Sequence, residues 1–108
     1  MSSILIVTTT VATAADAERI AVALVEAHLA ACVQRIPGVV STYRWNGAVE
    51  SATEIVLSIK TTRECYPELA ARLRAVHPYE LPELVAVEAG GAPDYLAWVH
   101  DAVRAPPP

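Results

Sequence analysis

The stretch VVSTYRWNGAVESATEIVLSIKT, residues 39–61, decides the fold. Asn46-Gly47 is the strongest hairpin signal in the chain, because a tight two-residue turn needs positive φ at both of its central positions. The flanks read as strands. Residues 39–45 alternate, and residues 53–61 put Ile55, Leu57 and Ile59 on one face and Glu54, Val56, Ser58 and Lys60 on the other. Just upstream, Pro37-Gly38 predicts a bulge or sharp bend, since proline donates no ladder hydrogen bond and glycine accepts unusual dihedrals. Both strands exceed the usual five or six residues or so. A long hairpin on a small domain is expected to pair with something, commonly a neighbouring subunit. Trp45, beside the turn, would be an exposed aromatic in a monomer and is a candidate interface anchor.

Working outward, residues 4–9 form a β-branched, buried strand. Thr13 and Asp16 open a helix in capping-box fashion, and that helix is expected to run to about residue 31, with His28 inside it. Beyond the hairpin, Thr61-x-x-Glu64 predicts the cap of a second helix with Cys65, Leu69, Leu73 and Val76 on its inner face. Pro78 stops that helix, because proline disfavours helical backbone in the residue before it. Residues 84–89 form a fourth strand, and Pro93-Asp94 opens a last helix. The order β-α-β-β-α-β places the chain in the α+β class, as a ferredoxin-like sandwich with an additional C-terminal helix and a long hairpin.

With 108 residues there is room for one core. Residues 1–104 are expected to form a single domain, and 105–108, APPP, a disordered tail. Apolar residues make up 54% and charged ones 19%, the balance of a globular chain. Phe is absent, so the core is aliphatic. A formal net charge of -4 argues against a nucleic-acid partner and mildly favours cationic ligands. The apolar run at residues 4–7 is too short for a signal peptide or a membrane span. Two cysteines with no C-x-x-C spacing are expected to be reduced, which points to the cytoplasm.

Chemistry concentrates in HPYELPEL, residues 77–84. His77 sits at a helix end before a constrained turn. One reading is a cation satisfying the last helical carbonyls. The other is a metal ligand, with Glu80, Glu83 or the Cys32 thiolate converging on it, a donor set that suits copper or zinc. Lys60 interrupts an apolar strand and points either to the sheet edge or into a polar pocket. Cys32 reads as a small buried hydrophobe. No phosphate-cradling loop and no nucleophile elbow are present, and no catalytic residue is assigned.

In combination, LAACVQRIPGVVSTYRWNGAV (residues 29–49), EIVLSIKTT (54–62), HPYELPEL and GGAPDYLAWV (90–99) resemble the CutA family of divalent-cation tolerance proteins. The resemblance implies a non-enzymatic homotrimer of ferredoxin-like subunits that binds divalent cations, copper(II) above all. It also implies a pocket near a subunit boundary that includes Cys32, Lys60, His77, Tyr79 and Glu83. Some members are proposed to hold copper through a cysteine at the end of the first strand and two adjacent histidines before Pro-Tyr. Of that trio this chain keeps His77, with Thr9 and Val76 at the other positions. Three alternatives stand beside this reading: a trimeric small-molecule sensor similar to the PII proteins, a protein-interaction or anchoring module and, ranked last, an enzyme with Cys32 as nucleophile and His77 as base.

Overall fold

The computed structural model describes residues 3–103, so the expectation for the tail at 105–108 lies outside the described residues. The elements follow in the order β1 (Ile4–Val11), α1 (Ala14–Glu26), β2 (Cys32–Trp45), β3 (Ala48–Thr61), α2 (Tyr66–Val76), β4 (Val85–Ala89) and α3 (Pro93–Ala102). The strands make one antiparallel sheet ordered β2-β3-β1-β4, as the split β-α-β pattern requires.

Strand alternation divides the side chains between the two faces. Val7 and Val11 of β1 and Leu57 and Ile59 of β3 meet Ile20 and Leu24 of α1 and Leu69 and Leu73 of α2 in the main core. Helix α3 covers the opposite face, where Leu96 and Val99 pack on Ile4, with Ala31 and Ala89 alongside. It shields only the Ile4 end. Further along that face Val85 and Val87 are about half exposed.

Local chemistry sets the turns. Asn46 and Gly47 both have positive φ, 50° and 81°, and Trp45 pairs directly with Ala48 across them. Ile36 pairs with Val56 but Val39 with Glu54, so one extra residue sits on β2 at Pro37-Gly38. Gly38, at φ 76°, takes the left-handed conformation that such a bulge needs. Because β1 ends at the Val11–Ile55 pair, the outer part of the hairpin is a two-stranded ribbon. This ribbon stretches the molecule to 46 Å, with a radius of gyration of 14.6 Å. A compact chain of this length would have a radius near about 13 Å.

Three local expectations are corrected. Helix α1 stops at Glu26, and His28 lies beyond it at φ 59°. The His28 amide donates to the Val25 carbonyl and the Leu29 amide to that of Leu24, which is a Schellman closure. Burial of Leu24 and Leu29 in one cluster favours this closure over further helix. Helix α2 is capped at Cys65 with no side-chain cap bond, while Thr61 remains in β3 and donates its hydroxyl to the Leu29 carbonyl at 2.7 Å. Finally, Cys32, expected as a small buried hydrophobe, opens β2 and is only half-buried.

Candidate functional site

His77 is the C-cap residue of α2, with its backbone extended (ψ 134°) ahead of Pro78. The ring turns away from its own helix and is buried against β1. Its Nδ1 accepts the Tyr79 amide at 3.1 Å, so the neutral imidazole carries its proton on Nε2. That nitrogen donates to the Thr10 carbonyl at 2.9 Å and lies 3.0 Å from the Thr9 hydroxyl. Burial lowers the pKa of the ring from the usual histidine range, which keeps it neutral, although the Thr10 carbonyl acts in the other direction. The final helical carbonyl, that of Val76, is instead satisfied by the Arg19 guanidinium at 3.2 Å. Helix-end capping, the first reading of His77, therefore belongs to Arg19.

Tyr79 stacks at a tilt on His77, with ring centroids 4.9 Å apart. Its hydroxyl donates to Oε2 of Glu54 at 2.7 Å. Glu54 belongs to the row of β3 that faces away from α1 and α2, so the loop after α2 ties one face of the sheet to the other. Glu54 as a residue is buried. Burial alone would raise its pKa, but hydrogen bonds from Tyr79, Ser41 and Thr10 outweigh that effect and hold it below the usual carboxylate range. Burial and the facing Glu54 carboxylate push the Tyr79 phenol well up, so it stays a donor.

Along the same side of β2, Ser41, Tyr43 and Trp45 follow Glu54 towards the hairpin tip. With Glu80, Leu81, Pro82 and Glu83 opposite, they line a groove of about 820 Å³. Tyr79 and Glu83 both belong to this groove, and so does Trp45, which is 40% exposed.

Cys32 and Lys60 lie elsewhere. They face each other across β2 and β3, and Lys60 donates to Gln34 and, at 3.1 Å, to Ser58. Lys60 pairs with Ile6 whereas Val56 pairs with Thr10, which separates the two clusters by about 13 Å along the strands. Within one chain the pocket residues therefore form two groups. Thr9 is beside His77, but Val76 offers no donor and packs at the margin of the core. Among the described residues no group of three or more His, Cys, Asp or Glu side chains is placed to hold a metal ion.

Sequence reading treats Glu54 only as one of the polar row on β3 and assigns no role to Thr10 or Ser41. The available signal is a carboxylate between Thr53 and Ile55, just ahead of the apolar run Ile55–Leu57, but its burial depends on the loop from residue 77 crossing over it. Of the other two histidines, His28 is exposed and His100 half-buried. His28 Nδ1 lies 3.3 Å from the Ala102 carbonyl, and His100 Nε2 lies 2.9 Å from that of Ser3.

Residues 5–102 match the family model described as CutA1 divalent ion tolerance protein. The divalent-cation tolerance protein CutA of Thermus thermophilus is 48% identical over 86 residues, covering 79% of this chain and 84% of that one. Protein CutA of Mus musculus is 44% identical over 89 residues, and the chain spans about half of its length (50%). Among solved structures, CutA from Xylella fastidiosa aligns with a TM-score of 0.91 at 42% identity, covering 94% of this chain and 98% of the other.

Proposed function

Because the chain belongs to the CutA1 family of divalent ion tolerance proteins, we propose that it contributes to divalent-cation tolerance as a non-enzymatic homotrimer that binds divalent metal ions, copper(II) among them, weakly. The observation that carries the metal role is the family match over nearly all of the described residues. The geometry supports weak binding over tight binding. Both His77 nitrogens are already engaged, so a cation would have to displace either the Tyr79 amide or the Thr10 carbonyl. Thr9 is a poor ligand and Val76 none.

The trimer is supported by the projecting ribbon. Val40 and Val49 there are about two-thirds exposed, and Tyr43 and Trp45 are open as well. A two-stranded ribbon is marginal in water alone, and both outer strands of the sheet, β2 and β4, leave an edge unpaired. Packing three such ribbons on neighbouring sheets would cover these surfaces and bring Cys32 and Lys60 of one chain towards the boundary with the next.

Calorimetric titration with copper(II), combined with light scattering, tests this reading. We expect three chains per particle and saturable heat that is weakened in His77→Ala. A monomer at micromolar concentration would remove the trimer, and an unchanged isotherm in His77→Ala would remove His77 as a ligand.

A further inference from the structure

We propose that a divalent cation taken by His77 enters on Nδ1 and, by expelling the Tyr79 amide, unlatches the loop after α2 from Glu54. The inference rests on the proposed metal role of His77 and deepens it: cation binding and the Tyr79–Glu54 bond exclude each other. Every bond involved lies within one chain, so the coupling holds whichever surfaces an assembly covers.

The tautomer selects the nitrogen. Nε2 carries the proton, donates to the Thr10 carbonyl at 2.9 Å and lies 3.0 Å from the Thr9 hydroxyl. Both partners belong to β1, an inner strand whose backbone at these residues is paired with Leu57 and Val56 of β3 and thereby fixed. A metal-bound imidazole commonly donates its other ring N–H to a backbone carbonyl in this way, which sets the ring orientation and raises the basicity of the ligating nitrogen. The ring's lone pair is on Nδ1, and its occupant is the Tyr79 amide at 3.1 Å. Tyr79 lies between α2 and β4, outside any helix or strand, and such backbone opens at lower cost than an inner strand.

Distance makes the two occupants exclusive. Zinc, a guide to the size of such an ion, sits about 2.0–2.1 Å from an imidazole nitrogen. The Tyr79 nitrogen, 3.1 Å from Nδ1 on the same lone pair, has to withdraw before an ion can stand there. The phenol of that residue is held on Glu54 Oε2 at 2.7 Å, and such bonds weaken beyond about 3.0 Å. A withdrawal that clears the ion exceeds this tolerance, so the phenol leaves the carboxylate. Glu54 pairs with Val39 directly after the bulge, and occupancy of His77 is thereby transmitted to the root of the hairpin. The described residues offer no cluster of three ligands to offset the broken bond, so the latch is a measurable share of the affinity.

The test is calorimetric titration of the whole protein with copper(II) chloride at pH 7. Coupled equilibria are reciprocal, so removing the bond that the cation must break is expected to make Tyr79→Phe bind copper(II) about tenfold more tightly than wild type. That gain should shrink when Glu54 is already replaced by Gln, which separates the bond from the loss of the hydroxyl as such. Hydrogen exchange read by mass spectrometry gives the structural readout. Saturating copper(II) is expected to speed exchange in wild-type peptides covering residues 79–83 and to leave those covering residues 4–11 of β1 unchanged. Equal or lower affinity in Tyr79→Phe, or unchanged exchange at 79–83, overturns the coupling while the metal role of His77 stands. A copper(II) isotherm unchanged in His77→Ala overturns that metal role, and the coupling with it.

Discussion

Tyr79→Phe removes one oxygen at the point where the loop after α2 is tied across the sheet. The ring can keep its tilted contact with His77, so the loss is confined to the hydrogen bond on Glu54 Oε2. A hydrogen bond to a buried charged acceptor contributes about 1.5–3 kcal/mol. Ser41 and Thr10 still serve the carboxylate, which places the expected cost near the lower half of that range, about 2 kcal/mol. With an unfolding entropy of about 2.1 cal/mol/K per residue, a chain of this length loses about 9 °C in Tm for that cost. Protein concentration must be held constant, because assembly contributes to Tm.

The pH dependence provides the stricter check. Glu54 has a folded pKa below its unfolded value, so its contribution is fully present above about pH 4.3 and is lost as pH falls through the folded value. The gap between wild type and Tyr79→Phe should therefore be full at pH 7 and narrow below about pH 4. A double-mutant cycle with Glu54→Gln should show a coupling of about 1 kcal/mol or more. A Tyr79→Phe melt within about 2 °C of wild type at pH 7 would refute the reasoning. So would a gap that does not narrow anywhere as pH falls through the acid range.

Two further outcomes are expected. His77 is buried neutral with a lowered pKa, so the unfolded chain takes up a proton that the folded one refuses as pH drops below about 6.5. Urea unfolding should show stability falling between pH 7 and 5 in wild type, with a flatter profile in His77→Gln; equal slopes would contradict this. At the end of α1, His28→Gly should raise stability by up to about 1 kcal/mol, because glycine takes the left-handed conformation without the Cβ penalty. The exposed 3.3 Å contact to the Ala102 carbonyl is lost in exchange, and a fall in Tm on calorimetry would show that it matters more than the backbone effect.

Much of the fold was legible because its signals are local. Asn46-Gly47 and Pro37-Gly38 dictate backbone dihedrals within two residues, and the structure places the turn and the bulge there. Thr13 caps α1 through the Asp16 amide for the same reason. The end of α1 was not legible, since histidine stands where glycine is the usual marker. Its closure depends on Leu24 and Leu29 sharing one core. The site was half legible. HPYELPEL concentrates the right residue types, but the partners of His77 Nε2 are 67 and 68 residues away along the chain.

By itself, then, the sequence determined the order of elements, the long hairpin with its bulge and the residues of the loop from His77 to Glu83, all through short-range dihedral and alternation rules. Only the tertiary structure decided which groups meet. Sheet register put Cys32 opposite Lys60, and the crossing of the loop put Tyr79 over Glu54. The packing of α2 against β1 turned His77 towards Thr9 and Thr10. Those outcomes follow from burial and register summed over the whole sheet, which no single stretch of residues contains.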